Sequence, residues 1–205
     1  MLGKEEGRFA VEMARRSLTE YLKRRERIRP QGLPPVFSEE RGVFVTLHLD
    51  GQLRGCIGYP YPVMPLGQAI VDSAVQAGTG DPRFSPVTLA ELQDIEFEVT
   101  ILTRPEIMTG ERSRLAGSVQ VGRHGLLVRR GPFSGLLLPQ VASECGLDPE
   151  DFLCQTCLKA GLPVDAWLDR ETEVQCFEAQ IFSEMGPLGP VQETVLHSCE
   201  NGSEG

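Results

Sequence analysis

Apolar positions near the start of the chain recur at steps of three and four. Phe9, Met13, Leu18, Tyr21 and Leu22 share a face, and their spacing predicts an amphipathic helix over residues 5–28. Pro30, Gly32, Pro34 and Pro35 stop it. The period then changes to two. Val43 to Leu49 and Gln52 to Ile57 read as strands, joined by Asp50-Gly51, a two-residue hairpin signal. Pro65 opens a helix through Leu66, Ala69, Ile70 and Ala74, and Gly78 closes it. Thr88-Leu89-Ala90-Glu91 has the spacing of a capping box and predicts a short helical turn.

Farther on, Ile95, Phe97, Val99 and Ile101 alternate with Glu96, Glu98 and Thr100, which predicts a strand with one apolar face. Residues 103–118 are polar and loop-like. Val119–Val121, Leu126–Val128 and Leu136–Leu138 are short strand candidates. Helices are expected over 139–145 and 149–160, the second with Asp148 as cap, Pro149 at its first position and Gly161 past its end. Val174 to Phe182 reads as a last strand. Beyond it there is little to bury, so residues 185–205 are expected to be a mostly disordered acidic tail on a folded region of residues 1–184.

An internal repeat underlies this order. Gly42-Val43-Phe44-Val45 lies 83 residues before Gly125-Leu126-Leu127-Val128, and the same offset joins Leu53 to Leu136 and Ala77-Gly78 to Ala160-Gly161. Each half reads strand, turn, strand, helix, glycine stop and later strand. Apolar strands resemble one another by chance, but the shared glycine spacing favours two related halves packing a common sheet.

Composition narrows the class. At 205 residues the chain suits one large domain or two small lobes, and 40% apolar with 24% charged residues is ordinary for a soluble globular protein. No apolar run approaches the ~18 residues of a membrane span. The N-terminus MLGKEEGRFA holds no apolar signal region, so a cytoplasmic location is expected. The six cysteines are then expected to stay reduced. A formal charge of −9 argues against general nucleic-acid binding. The basic run Lys23–Arg29 reads as a solvated helix end, where cations favour the carbonyl terminus.

Candidate chemistry centres on Leu53-Arg54-Gly55-Cys56-Ile57-Gly58. With Asp50-Gly51 as the turn, Leu47 faces Arg54 and Val45 faces Cys56 across the hairpin. Arg54 and Cys56 then project together, about 7 Å apart along the strand. The guanidinium would favour a thiolate, while Gly55 and Gly58 leave room for a ligand or another backbone. The alternative is a packed structural cysteine. His124, in the turn Gly122-Arg123-His124-Gly125, is the candidate base, with a solvent-facing turn histidine as the alternative. His48 reads as structural, and His197 belongs to the tail. In Asp81-Pro82-Arg83-Phe84-Ser85-Pro86 two prolines stiffen a loop presenting Asp81 and Arg83. Arg83 would hold an anionic group or pair with Glu98; the alternative, slightly favoured, is Asp81 as a cap and Arg83 in a surface salt bridge. Glu96 and Glu98 share a strand face as paired carboxylates or as ordinary polar alternation. Cys154-Gln155-Thr156-Cys157 is a lone C-x-x-C inside a predicted helix, without the four-ligand spacing of a structural zinc site. No metal and no cofactor is expected.

The hexapeptide LRGCIG resembles the signature of the AMMECR domain family. Asp81 to Phe84 (DPRF), Ile95 to Pro105 (IEFEVTILTRP), Gly122 to Val128 (GRHGLLV), Leu137 to Ala142 (LLPQVA) and Thr156 to Pro163 (TCLKAGLP) agree with it in order, over roughly residues 5–183. The similarity is strongest to the prokaryotic branch called AmmeMemoRadiSam system protein A. The resemblance implies an α+β fold, with two related repeats around one mixed, barrel-like sheet and a larger and a smaller lobe with a cleft. It implies association with a Memo-type protein, which resembles extradiol dioxygenases, and with a radical-SAM protein. Cys154 departs from the family pattern, which weakens the C-x-x-C reading.

The family's activity is unsettled, and three functions are weighed. The first is a cytosolic thiol-dependent enzyme or small-molecule modifying protein, with Cys56 as nucleophile, Arg54 stabilising charge and His124 as base or acid. Asp81, Arg83, Glu98, Gly55 and Gly58 would bind substrate. The second is a non-catalytic binding or adaptor module for the Memo-type and radical-SAM partners. The third is a nucleic-acid-associated regulator, which needs Lys23–Arg29 beside the cleft.

Overall fold

The computed structural model describes residues 1–194. In chain order its main elements are α1 (Lys4–Arg24), β1 (Gly42–Leu49), β2 (Gln52–Tyr59), α2 (Leu66–Thr79), β3 (Ile95–Leu102), β4 (Glu106–Ile107), β5 (His124–Arg130), β6 (Phe133–Leu137), α3 (Pro139–Glu144), α4 (Pro149–Lys159), β7 (Glu173–Glu184) and β8 (Val191–Thr194). The fold is α+β. Residues 1–104 with 180–194 form one compact unit and residues 105–179 a second.

In the first unit, β1 lies between β2 and β3, and both ladders are antiparallel. Asp50 and Gly51 take φ of 51° and 71°, the left-handed pair that a tight hairpin turn requires. Val43, Val45 and Leu47 on β1 and Phe97 and Val99 on β3 are fully buried in a core shared with α1 and α2. The first helix ends at Arg24, short of the expected residue 28. Arg25 turns left-handed (φ 60°) and donates its amide to the Tyr21 carbonyl, which terminates the helical ladder. The second helix also differs at its end. Gly78 does not close α2; Gly80 caps it, and Gly78 lies inside, where a Cβ would stand 2.5 Å from a Leu18 methyl. That glycine sets how closely the two helices approach.

The predicted turn at Thr88 is present. The Glu91 carboxylate accepts the Thr88 amide at 2.7 Å and opens a 3-10 turn at Glu91–Gln93.

The second unit repeats the plan. Here β5 lies between β6 and β7, again antiparallel, and α4 packs against the hairpin. Its core gathers Leu126, Val128, Phe152, Cys157, Trp167 and Val174. Asp148 caps α4 by accepting the Asp151 amide at 2.8 Å, and Gly161 turns left-handed (φ 75°) after it, as the sequence predicts. Every ladder named so far is antiparallel, where a mixed sheet was expected.

The repeat extends to a packing device. A Cβ on Gly55 of β2 would stand 2.1 Å from the Ala77 carbonyl oxygen of α2, and one on Gly135 of β6 would stand 2.4 Å from the amide nitrogen of Ala160, at the cap of α4. In each unit the helix end is seated on a glycine of the second hairpin strand. Ala77 and Ala160 are separated by the 83-residue offset, although the second hairpin is shorter.

Two further expectations fail. Val119–Val121 is not a strand: Val119 is buried, but its amide bonds locally to the Ala116 carbonyl, and the His124 amide closes a turn on Gln120. Residues 185–194 are not a disordered tail. Val191–Thr194 pairs with β7 from Ile181 to Glu184, and Gln180 binds both the Leu2 carbonyl and Glu193. Backbone pairing and this side-chain bridge hold a segment whose composition offers little apolar area. His197 and Cys199 lie outside the described residues. No helix among the described residues is long and apolar enough to cross a membrane.

Candidate functional site

The hairpin carries the candidate thiol, but not in the expected register. The ladder runs Thr46↔Cys56, Leu47↔Gly55, then His48↔Leu53, which leaves Arg54 as the extra residue of a bulge. One inserted residue reverses which side chains share a face. Cys56 therefore stands beside Thr46 and not beside Val45. It lies on the face of β1 and β2 opposite Val43, Val45 and Leu47. Gly55 takes the core side against α2.

Arg54 is correspondingly engaged elsewhere. Its Nε donates to the Glu91 carboxylate at 2.9 Å and its Nη1 to the Ser85 carbonyl at 2.9 Å. The bond ties the bulge to the capping turn. Burial pushes the Glu91 carboxyl up, but the Thr88 amide, the Arg54 guanidinium and the Thr88 hydroxyl together hold it below its ordinary value. Arg54 is a structural strut here, where a charge-stabilising partner of the thiol was expected.

The guanidinium near the cysteine belongs to Arg83. The Asp81 carboxylate accepts the Cys56 amide at 2.9 Å and takes two bonds from the Arg83 guanidinium, at 2.9 and 2.7 Å. Arg83 Nη2 lies 3.5 Å from the Cys56 carbonyl oxygen. Because β2 has β1 on one side only, this loop satisfies the outward backbone groups of Cys56 on the free edge. The Arg83 hydrogen bonds and the Cys56 amide hold the Asp81 carboxyl at about 2, against the opposing effect of burial. Arg83 in turn is raised, first by Asp81 and in smaller part by the charge of a Cys56 thiolate. Arg83 was expected to hold an anion or pair with Glu98; it pairs with Asp81.

Thr46 Oγ1 donates to Cys56 Sγ at 3.4 Å. Cys56 is half-buried and free of disulfide, and Thr46 is 6% exposed. Glu98 stands opposite Thr46 on β3, so Cys56, Thr46 and Glu98 form one row across three strands. Thr46 is the member that sequence reasoning missed, because the bulge that brings it beside the thiol has no signature in the residue pattern.

The glycines of the signature admit the protein's own backbone. Besides Gly55, a Cβ on Gly58 would stand 2.1 Å from the Val43 carbonyl oxygen. Of the two uses foreseen for them, the space is filled by main chain and not by a ligand.

His124 belongs to the second unit and opens β5 instead of sitting in the turn before it. Its Nδ1 accepts the Gln120 amide at 3.2 Å, which leaves Nε2 to carry the proton. Arg123 pairs with Glu178 beside it at 2.8 Å. Burial first, and then the Arg123 charge, push the imidazole below its ordinary value, with Glu178 opposing.

The other thiols offer less. Cys157 is buried and its pKa pushed up to about 11, mainly by desolvation. Cys176 is raised for the same reason. Among the described residues no group of three or more His, Cys, Asp and Glu side chains is arranged to hold a metal ion.

These features define an α+β protein whose signature hairpin is locked by a conformationally fixed Asp-Pro-Arg loop. A sequence model of the AMMECR1 family matches residues 11–182. The chain belongs to that family. A protein of Methanothermobacter thermautotrophicus is 52% identical over 187 residues, covering 90% of this chain and 97% of its own length. One of Methanosarcina barkeri is also 52% identical, over 204 residues, covering 98% of this chain and 100% of its own. The crystal structure of an uncharacterized protein from Pyrococcus horikoshii matches with a TM-score of 0.93 at 46% identity, over 95% of this chain and 99% of that one.

Proposed function

We propose that the chain is a cytosolic thiol-dependent enzyme acting on a small molecule, as protein A of an AmmeMemoRadiSam system, with Cys56 as its nucleophile. The observation that carries this reading is the Thr46 hydroxyl on Cys56 Sγ at 3.4 Å, with the Arg83 guanidinium fixed beside the same residue. A hydroxyl donor and a nearby cation both favour the thiolate, the reactive form. Arg83 keeps 53% of its side chain exposed, so it can also meet an anionic group on a substrate. The reading rests on groups of the first unit alone.

Iodoacetamide labelling of Cys56 at neutral pH, quantified on its peptide by mass spectrometry, tests it. The rate is expected to fall several-fold in Arg83→Ala and in Thr46→Val, because each removes a group that favours the thiolate. Arg54→Ala, whose guanidinium is spent on Glu91, should change it little. No labelling in the native protein, or a rate indifferent to Arg83 and Thr46, removes the nucleophile. If Cys56→Ser instead abolishes co-purification with a Memo-type or radical-SAM partner, the hairpin is a docking surface and the adaptor reading replaces this one.

A further inference from the structure

The first unit holds a second feature, away from Cys56 and toward the N-terminal half of α2. A cavity of about 780 Å³ is bounded by the segment after α1 and by α2. That volume falls within the range of small-molecule sites, roughly 300–1,000 Å³. Ile28, Leu33, Met64 and Val71 supply an apolar wall, and Arg27, Arg29 and Asp72 are the charged groups on its lining.

The wall is built, not incidental. Leu33 lies flat on α2 because residue 67 is glycine; a Cβ there would stand 2.5 Å from the Leu33 methyl. Pro30, Pro34 and Pro35 restrict the segment that carries it. Its far end is anchored by Phe37, which is fully buried and meets Phe9 edge-on at 5.2 Å between ring centroids.

The charges are unequal in their commitments. Asp72 is spoken for: it pairs with Arg27 at 2.9 Å and accepts a short hydrogen bond from the Tyr59 hydroxyl. That bond raises Tyr59 above its ordinary value, so the phenol stays protonated and keeps donating. Arg29 has no ion pair among the described residues, and it also lines a neighbouring cavity of about 280 Å³. Among the described residues, Arg29 is thus the lining cation without an ion pair, on a cavity with an apolar wall and a lining charge of plus one. A planar carboxylate matches such a fork with two parallel hydrogen bonds. A doubly charged phosphate would meet one free cation and the Asp72 carboxylate.

We propose that this cavity binds a small monocarboxylate with an apolar body, the carboxylate on Arg29 and the body against Ile28, Leu33, Met64 and Val71. The site is independent of the Cys56 chemistry.

The test is a titration of the full chain with octanoate and with 1-naphthylacetate, followed by amide chemical shifts, beside the uncharged octanol. Saturable shifts are expected at residues 28, 33, 64 and 71, with octanol binding roughly tenfold more weakly for want of the charge-assisted hydrogen bonds. Arg29→Gln should weaken octanoate to the level of octanol and leave octanol unchanged. Gln68→Trp, at an exposed α2 position on the lining, should fill the cavity and abolish both. The proposal is overturned if neither acid saturates, if octanol binds as tightly as octanoate, or if Gln68→Trp leaves binding intact.

Discussion

The carboxylate of Asp81 accepts the backbone amide of Cys56 at 2.9 Å, so a buried acid on one loop fixes the main chain of the signature strand. Asp81 is 5% exposed and its partners are all donors: the Cys56 amide, the Arg83 amide and the Arg83 guanidinium. A strand edge that would otherwise offer free backbone groups to any other chain is closed by a side chain and its counter-ion.

This closure has a pH signature. The folded value of Asp81, about 2, lies below the ordinary carboxylate value of about 3.9 in an unfolded chain. A depressed value favours the folded state above the unfolded pKa, and the benefit disappears as pH falls through the folded one. Asp81→Asn should therefore cost about 2 kcal/mol in urea unfolding at pH 6. The gap between wild type and variant should shrink between pH 4 and pH 2. A constant gap over that range would mean that charge is not what Asp81 contributes.

The glycines of the two hairpins make a paired prediction. Gly55→Ala drives a methyl against the Ala77 carbonyl, and Gly135→Ala drives one against the Ala160 amide. Main chain gives way poorly, so each should cost more than about 3 kcal/mol, as overpacking does at its upper end. Gly51→Ala is the control, since nothing lies within 4 Å of its Cβ position and only its φ of 71° is strained. It should cost about 1 kcal/mol. Thermal unfolding of the three variants checks the order, and a mild effect at Gly135 would break the equivalence of the repeats.

What could be read from the residues was local. Asp50-Gly51 marks its turn because few residue pairs tolerate two positive φ values, and Asp148-Pro149 marks a helix start because cap and first-turn proline act within a few residues. The faint repeat was legible because Ala77-Gly78 and Ala160-Gly161 recur at the offset of the strands before them, whereas the glycines that seat those alanines, Gly55 and Gly135, fall outside that offset. The bulge was not legible. Nothing in Leu53-Arg54-Gly55 distinguishes a regular strand from one with an inserted residue, and the choice follows from α2 needing the glycine beneath Ala77. That single slip moved Cys56 to the other face and replaced Arg54 by Arg83 as its cation. β8 was hidden for a different reason, because its hold depends on pairing with β7 and on Gln180, both distant in meaning from its own composition.

His124 offers a titration in the second unit. Burial lowers its pKa, Arg123 lowers it further and Glu178 opposes them. Histidine ring shifts followed against pH should place its midpoint below the usual 6.5, so the imidazole is neutral at pH 7. Arg123→Gln should raise the midpoint without restoring it fully, because desolvation is the larger cause. Glu178→Gln should lower it. A midpoint that ignores both substitutions would show the Arg123–Glu178 pair to be too well solvated to reach the ring.

The last residue of β7 carries the most consequential buried charge of the first unit. Glu184 is 7% exposed and receives Arg15 through Nε at 2.6 Å and Nη2 at 2.5 Å, while its Oε2 also accepts the Phe97 amide at 2.9 Å. Arg15 completes its own hydrogen bonding on the Leu92 and Ile95 carbonyls and lies 4.5 Å from the Phe97 ring centroid. One pair thus joins α1, β3, the turn before β3 and the end of β7. Arg15→Met keeps much of the side-chain volume but strands a buried carboxylate, so it should cost about 3–5 kcal/mol. Adding Glu184→Leu removes the stranded charge along with its partner. The double variant should regain a large part of that loss, because a buried pair is costly to break and far cheaper to replace whole. Chemical unfolding of the two single variants and the double variant measures the recovery. If the double variant is no more stable than Arg15→Met, then the carbonyl and amide bonds of the network, and not the pairing of the two charges, hold this end of the first unit together.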